Sequence, residues 1–440
     1  MAVIKPFRGI RYNLEKVKDL SRVISQPYDR VRYGLQDDYY DQSEYTIVKI
    51  IKGRAFADDR EDENVYTRAR DYLKKWIKEG VLKHEEKPAL YVLHQTFTLK
   101  DGKRYTRKGL ACAFEISTFD EGVVLPHERT LSGPKVDRLK LTNTTGTYFG
   151  HIFMLYPDSE NAVNAILEQA VSSKAPVEAR DLFENDVEQN LWIITDPEVI
   201  EAVQKEMEPK QNLIIADGHH RYETAINYRD EKRKSCPEAP ENAAFNYRMV
   251  TMVSMSDPGL VILPTHRLIY GYDALSADEL LEKAETYFEI AVVSDRKELQ
   301  AFLTEALPDK PRIGLYSGNY YGLELKSPDI MKEITPGRDY AWRMLDVSIL
   351  HEILLERVMG LSKESVERKE NIDYLRDPQM GFDRVDKGDG QFLFLLNPTR
   401  MDQVSACTRA GEKMPQKSTD FYPKIVSGLV SMTAGEDPLD

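Results

Sequence analysis

Hydrophobic positions along this chain recur at two spacings, and the change from one to the other predicts its elements. The chain opens with Ile4-Lys5-Pro6-Phe7-Arg8-Gly9-Ile10-Arg11 and then SQPYDRVRYG over residues 25–34. Here a short strand at Val23-Ile24 is expected to lead into a turn at Pro27-Tyr28-Asp29. Over residues 61–80, Val65, Ala69, Tyr72, Leu73 and Trp76 recur at helical spacing, which predicts an amphipathic helix closed by Gly80. ALYVLHQTFTL and RYTRKGLACAFEIS read as strands joined by a hairpin turn at Asp101-Gly102. HIFMLYPD, LWIITDP, NYRMVTMVSMSD and LVILPTHRLIY are further strand-like runs. ITDPEVIEAVQKEME leads into a helix with Pro197 in its first turn. Residues 275–310 read as helix, strand, helix, residues 340–361 as a long helix, and GQFLFLLNP as a late strand.

One junction carries more chemistry than the others. The apolar run Leu213-Ile214-Ile215-Ala216 reads as a buried strand and ends in Asp217-Gly218, after which His219, His220 and Arg221 open a helical segment. A strand, a glycine turn and a helix start present backbone N–H groups to an anion. The added imidazoles, guanidinium and carboxylate suit a phosphate-bearing ligand, with Asp217 free to hold a metal ion, Mg²⁺ in first place. The bland alternative is a solvated polar turn. Adjacent helix residues point in different directions, so one of His219 and His220 is expected to touch phosphate while the other packs.

Composition narrows the class. The 440 residues carry 73 acidic and 60 basic side chains, a formal net charge of -13, which argues against a wide nucleic-acid surface. Cys112, Cys236 and Cys407 stand far apart, with no CxxC pair to suggest a zinc ribbon or a disulfide framework. Neither an apolar signal core nor a run of about 18 apolar residues is present, so no membrane span and a cytoplasmic location are expected.

At ADGHHRYETA, HERTLSGPKVDRL, LPTHRL and MPQKSTDFYPKIVSGLV the chain resembles the bacterial and archaeal family filed as domain of unknown function 1015. The likeness runs from Lys5-Pro6-Phe7 through Pro27-Tyr28-Asp29 to Gly428-Leu429-Val430. That family resembles an enlarged relative of the ParB/sulfiredoxin superfamily, which includes nucleotide-dependent kinases of free L-serine with a DGHHR-type phosphate-binding turn. The resemblance implies an α+β (mixed α/β) fold. Residues 1–270 would form a ParB/sulfiredoxin-like catalytic core with inserted strands and helices. Residues 271–440 would form an α/β domain whose tail, 412–430, is a candidate to return to the active site. It also implies phosphoryl transfer to a small hydroxyl compound, free serine leading, with ATP, ADP or pyrophosphate as donor. A sulfiredoxin would need a cysteine where His219 stands, and a ParB-type protein a second arginine where Glu223 stands, so neither of those activities is expected.

Roles follow from the chemistry such a transfer needs: charge neutralisation, alignment and a base near the attacking hydroxyl. Arg221 and His220 are the catalytic candidates beside Asp29, which the resemblance puts forward as general base; an Asp capping the turn after Pro27 is the equal alternative, and Glu44 a weaker rival. Gly218, His219, His220 and Arg221 would cradle phosphate, joined by Lys417, Ser418, Thr419 and Lys424 of the tail, a stretch that is not a Walker A loop. The polar loop His127-Glu128-Arg129-Thr130, with Arg138 downstream, and the pair His266-Arg267 are substrate-binding candidates. A salt-bridged surface loop and a satisfied structural histidine are the competing readings. Three function classes stay open: a serine kinase, a metal-dependent phosphohydrolase using Asp217, His219 and His127, and a nucleotide-binding regulatory module without turnover.

Overall fold

Because side chains alternate across a strand, every second residue of five strands faces the same way: Leu90 and Val92; Leu110, Cys112 and Phe114; Ile152 and Met154; Leu213 and Ile215; Val250 and Met252. These side chains form one buried cluster. Val163, Leu167 and Val171 of the helix Ala162–Val171, Val203 and Met207 of the helix Pro197–Met207, and Tyr222 close over it. The computed structural model of the chain describes residues 1–32, 34–128, 132–184 and 186–439. The fold is α+β, with sheets and helices packed on them.

The chain divides into two compact units, the first made of Met1–Pro126, Thr130–Val261 and Pro423–Asp440, the second of His127–Arg129 and Ile262–Tyr422. The first holds a nine-stranded sheet. Its order is Val124–Pro126, Leu213–Asp217, Ile152–Tyr156, Tyr247–Ser254, Arg104–Glu115, Leu90–Thr98, Val187–Ile194 and Val177–Asp181, with Ile4–Lys5 paired to Arg104–Glu115. Leu213–Asp217 runs parallel to Val124–Pro126 and antiparallel to Ile152–Tyr156. The second unit holds a six-stranded antiparallel sheet. Its order is Phe288–Val293, Tyr320–Leu325, Arg312–Tyr316, Phe392–Leu395, His266–Ile269 and Ile372–Leu375.

The amphipathic helix forms over Val65–Lys78, capped by Asn64 in a capping box with Thr67. The hairpin closes around Gly102, whose φ of +81° favours a residue without a Cβ. Two expectations differ from the structure. Val23-Ile24 is not a strand: it follows a 3₁₀ turn at Leu20–Arg22, and pairing is confined to a single bridge between Ser25 and Ser427. The helix expected over 340–361 is broken at Leu345, whose ψ of 130° is extended, and it widens into a π-helix at Leu350–Val358.

The second face of the nine-stranded sheet mixes buried polar residues with apolar ones such as Leu93, Phe153 and Leu155. Gln95 and Arg107 are cross-strand partners on it, and both are buried. The returning segment 423–440 supplies their bonds, since Gln95 donates to the Lys424 carbonyl (3.0 Å) and Arg107 to the Pro423 carbonyl (2.5 Å). Arg107 also donates to Gln95 and lies over the Phe153 ring. A buried polar pair is stable only when its donors and acceptors are met. These two residues therefore fix where the backbone at Pro423 and Lys424 meets the sheet.

Candidate functional site

Asp217 ends its strand at a register shift between Ile215 and Asp217, the kind of irregularity that re-aims a side chain at a sheet edge. Gly218 follows with φ +98° and starts the helix His219–Ser235. A Cβ at Gly218 would stand 3.1 Å from Arg221 Nε, and one at Gly150 would stand 3.3 Å from Arg221 Nη1. Two glycines thus clear the space that the Arg221 guanidinium fills. Arg221 Nη2 donates to Asp217 Oδ2 at 2.6 Å, and Nη1 donates to the His151 carbonyl. Lys424 Nζ lies 3.6 Å from the other oxygen, Asp217 Oδ1.

Burial alone would raise the Asp217 carboxyl, but Lys424, Arg221, His219 and Arg30 outweigh it and hold it far below the ordinary carboxylate range. Burial would likewise lower Arg221, yet Asp217, Asp29 and Tyr28 raise it. Arg107 is brought down to about 9 by burial, with Asp257 and Asp217 acting against that. Positive charge therefore surrounds one carboxylate at a helix start, the arrangement a phosphate-bearing ligand neutralises.

Beside this turn is a cavity of about 40 Å³, lined among others by Pro27, Tyr28, Arg138, Gly150, Arg221 and Arg248. The turn at Pro27 is closed by Arg30 N–H to the Pro27 carbonyl (2.8 Å). Tyr28 stacks under Arg138, with 4.0 Å from guanidinium to ring centroid. Burial raises the Tyr28 hydroxyl, and the charges of Arg221, Asp29, Arg138 and Asp137 all reach it. Asp29, Arg138 and the Asp217–Arg221 turn, separated widely in sequence, thus belong to one neighbourhood of the first unit.

His220 heads the same helix, and its carbonyl accepts from the Thr224 hydroxyl (2.6 Å). Glu44 is exposed. His127, Glu128, His266, Arg267, Lys417, Ser418 and Thr419 belong to the second unit. There His127 Nε2 meets Thr419 Oγ1 at 2.7 Å, and the Met414 N–H donates to the His127 carbonyl. Ser418 donates to the Pro415 carbonyl (2.5 Å), and the Ser418 carbonyl accepts from Thr399. Arg267, fully buried, donates to the carbonyls of Thr265, Gln416 and Lys417. His266 Nδ1 accepts from the Leu396 N–H at 3.3 Å, and burial and Arg267 bring this imidazole down to about 4. Arg129 and Thr130 lie outside the described residues.

Asp217 is the carboxylate put forward for a metal ion, and both its oxygens face cations. Among the described residues no group of three His, Cys, Asp or Glu side chains is placed to hold a metal. No helix among them is long and apolar enough to cross a membrane.

The motifs pass over Arg107, His151 and Arg248, which read in sequence as ordinary members of strand-like runs. The available signal was a charged residue inside an apolar run, as Arg248 is in NYRMVTMV. His151 Nδ1 lies 2.8 Å from Thr251 Oγ1; burial, Arg248 and Arg221 bring the imidazole down to about 3, against a bond with the Val430 backbone.

Among solved structures, the chain is similar to a free serine kinase in complex with AMP, at 11% identity and TM-score 0.36 over 72% of this chain and 90% of that one. It is similar to a conserved hypothetical protein from Pyrococcus furiosus at 12% identity and TM-score 0.32, covering 72% and 94% of the two chains. SbnI with C-terminal truncation from Staphylococcus aureus is similar at 9% identity and TM-score 0.33, covering 69% and 82%. No curated protein matches the sequence. The family model described as Protein of unknown function (DUF1015) matches residues 4–348, and the chain belongs to that family.

Proposed function

We propose that this protein is a phosphotransferase that moves a phosphoryl group from ATP, ADP or pyrophosphate to the hydroxyl of free L-serine. The observation that carries the reading is the Asp217–Gly218–Arg221 turn, where Arg221 and Lys424 flank one carboxylate at a helix start. The likeness of the DGHHR stretch to serine-kinase turns makes serine the acceptor to test first.

In this reading Arg221, Lys424 and the backbone amides after Gly218 neutralise the oxygens of the moving group, where charge is spread in the transition state. Asp29 takes the hydroxyl proton as the serine oxygen bonds to the terminal phosphorus. The bond from that phosphorus to the bridging oxygen breaks, and the leaving phosphate keeps the electron pair. Mg²⁺ is commonly held by one or two carboxylates plus substrate phosphates. Asp217 fits that part if the metal takes the place of Lys424 or Arg221 at one oxygen, and its chemistry would be further charge neutralisation on the donor.

The test incubates purified protein with Mg²⁺ and each donor, with and without L-serine, and measures O-phosphoserine and released phosphate. Phosphoserine is expected to form faster than the donor is hydrolysed alone. Equal phosphate release with and without serine, and no phosphoserine, would sink the reading.

A further inference from the structure

Arg248 is a buried cation with too few partners. It is 3% exposed, in the strand Tyr247–Ser254. Nη2 donates to the Gly150 carbonyl at 2.5 Å, and the guanidinium lies 4.0 Å from the Tyr148 ring centroid. Nε and Nη1 are buried and have no hydrogen-bond partner. Among the described residues no carboxylate forms an ion pair with it. Arg221, on the same cavity, adds a second guanidinium that disfavours its charge. Native proteins rarely leave buried donors unmet, and a buried charge is normally paired.

The cavity that both arginines line has a volume of about 40 Å³. One water needs about 10–15 Å³ on the same measure, so the space suits a few waters or a single carboxylate or phosphate group. Tyr28, Thr142, Thr224 and Ser427 also line it, the Thr142 and Thr224 hydroxyls donating to the Arg138 and His220 carbonyls. Each unmet N–H can donate one charge-assisted hydrogen bond to an oxyanion. We propose that Arg248, with Arg221, forms a seat for one small oxyanion beside the Asp217–Lys424 turn, with Arg221 shared between the two. The seat deepens the phosphotransfer reading by giving the site a second place for negative charge: the carboxylate of the acceptor, or a phosphate. It is a statement about binding and does not depend on turnover.

Calorimetric titration of the full-length protein at fixed ionic strength, with L-serine, inorganic phosphate and ethanolamine, tests it. Ethanolamine keeps the hydroxyl and ammonium of serine and lacks the carboxylate. Serine or phosphate is expected to bind, ethanolamine at least tenfold more weakly than serine, and Arg248→Lys and Arg248→Met each to weaken the bound anion at least tenfold. Serine binding assigns the seat to the acceptor carboxylate; binding of phosphate alone assigns it to a phosphate. Lys424→Met separates the two places, because phosphate held at the turn is lost in that variant and kept in Arg248→Lys, an outcome that overturns the proposal. Binding of neither anion, or equal binding of serine and ethanolamine with none of phosphate, overturns it on the wild-type protein alone, even if the arginine variants fail to fold. Absence of phosphoserine in the turnover assay would remove the kinase reading and leave this result standing.

Discussion

Arg221 of the first unit and Arg267 of the second are both buried arginines that bond backbone carbonyls beside a candidate loop. Arg221 spends one donor on the His151 carbonyl and another on Asp217, and the carboxylates near it raise its pKa in spite of burial. Arg267 spends its described bonds on the carbonyls of Thr265, Gln416 and Lys417; burial brings it down to about 10, with Tyr374 and Glu128 only partly opposing. The first arrangement leaves a charged, partly solvated cluster at a helix start. The second uses the guanidinium as a clamp that orders a loop. Burial alone therefore does not decide the role, and the partners decide which arginine can meet a ligand.

The sharpest way to break this contrast is Arg221→Ala. It is expected to cut turnover a hundredfold or more, on the order of 3 kcal/mol of transition-state stabilisation, with the far-ultraviolet spectrum unchanged. Near-normal kinetics in a folded variant would place Arg221 with the clamps. Arg267→Met should act on stability instead: leaving buried carbonyls without donors costs about 2–4 kcal/mol, read as a lower midpoint in urea. A rise in KM with an unchanged midpoint would move Arg267 to the ligand side.

Acid sensitivity sharpens the comparison further, since each unit buries a histidine. His151 is brought down to about 3 and His266 to about 4, both below the unfolded value of about 6.5. A group whose folded pKa is depressed contributes stability that is complete above the unfolded pKa and is lost as pH falls through the folded one. Stability should therefore decline by up to about 1.4 kcal/mol per pH unit for each histidine, between about pH 6.5 and pH 3 for His151 and between about pH 6.5 and pH 4 for His266. His151→Asn is expected to flatten this slope for the first unit while leaving that of the second; equal slopes in wild type and variant would show that His151 is not the group that titrates. The smallest effect concerns Lys417, exposed and held at φ +58°. Lys417→Gly removes the strain of a left-handed side-chain residue and should raise the urea midpoint by the equivalent of about 1 kcal/mol or less. A lowered midpoint would mean that the lysine side chain holds the loop.

Local physics made much of the fold readable. The apolar run 213–216, the 3.6 spacing behind Val65–Lys78, the Asp101-Gly102 turn and Pro197 at a helix start act within a few residues, and each appears where the sequence puts it. The junction at Asp217-Gly218 was legible for the same reason. The break at Leu345 was not, because apolar residues continue across it and helical spacing alone does not register an extended ψ.

By itself, then, the sequence determined the elements, the acidic balance and the strand–turn–helix with its ionisable groups, since these depend on spacing and on neighbours along the chain. Only the tertiary structure decided that Lys424 reaches Asp217, that Tyr28 lies under Arg138, and that Arg248 shares a cavity with Arg221. It also decided that Arg267 serves carbonyls. Those pairings join residues far apart in the chain, and they depend on which strands are neighbours in a sheet and on where Gln95 and Arg107 anchor the returning segment. Sheet order and long-range closure arise from the packing of the whole unit, and no local pattern of hydrophobic and polar residues encodes them.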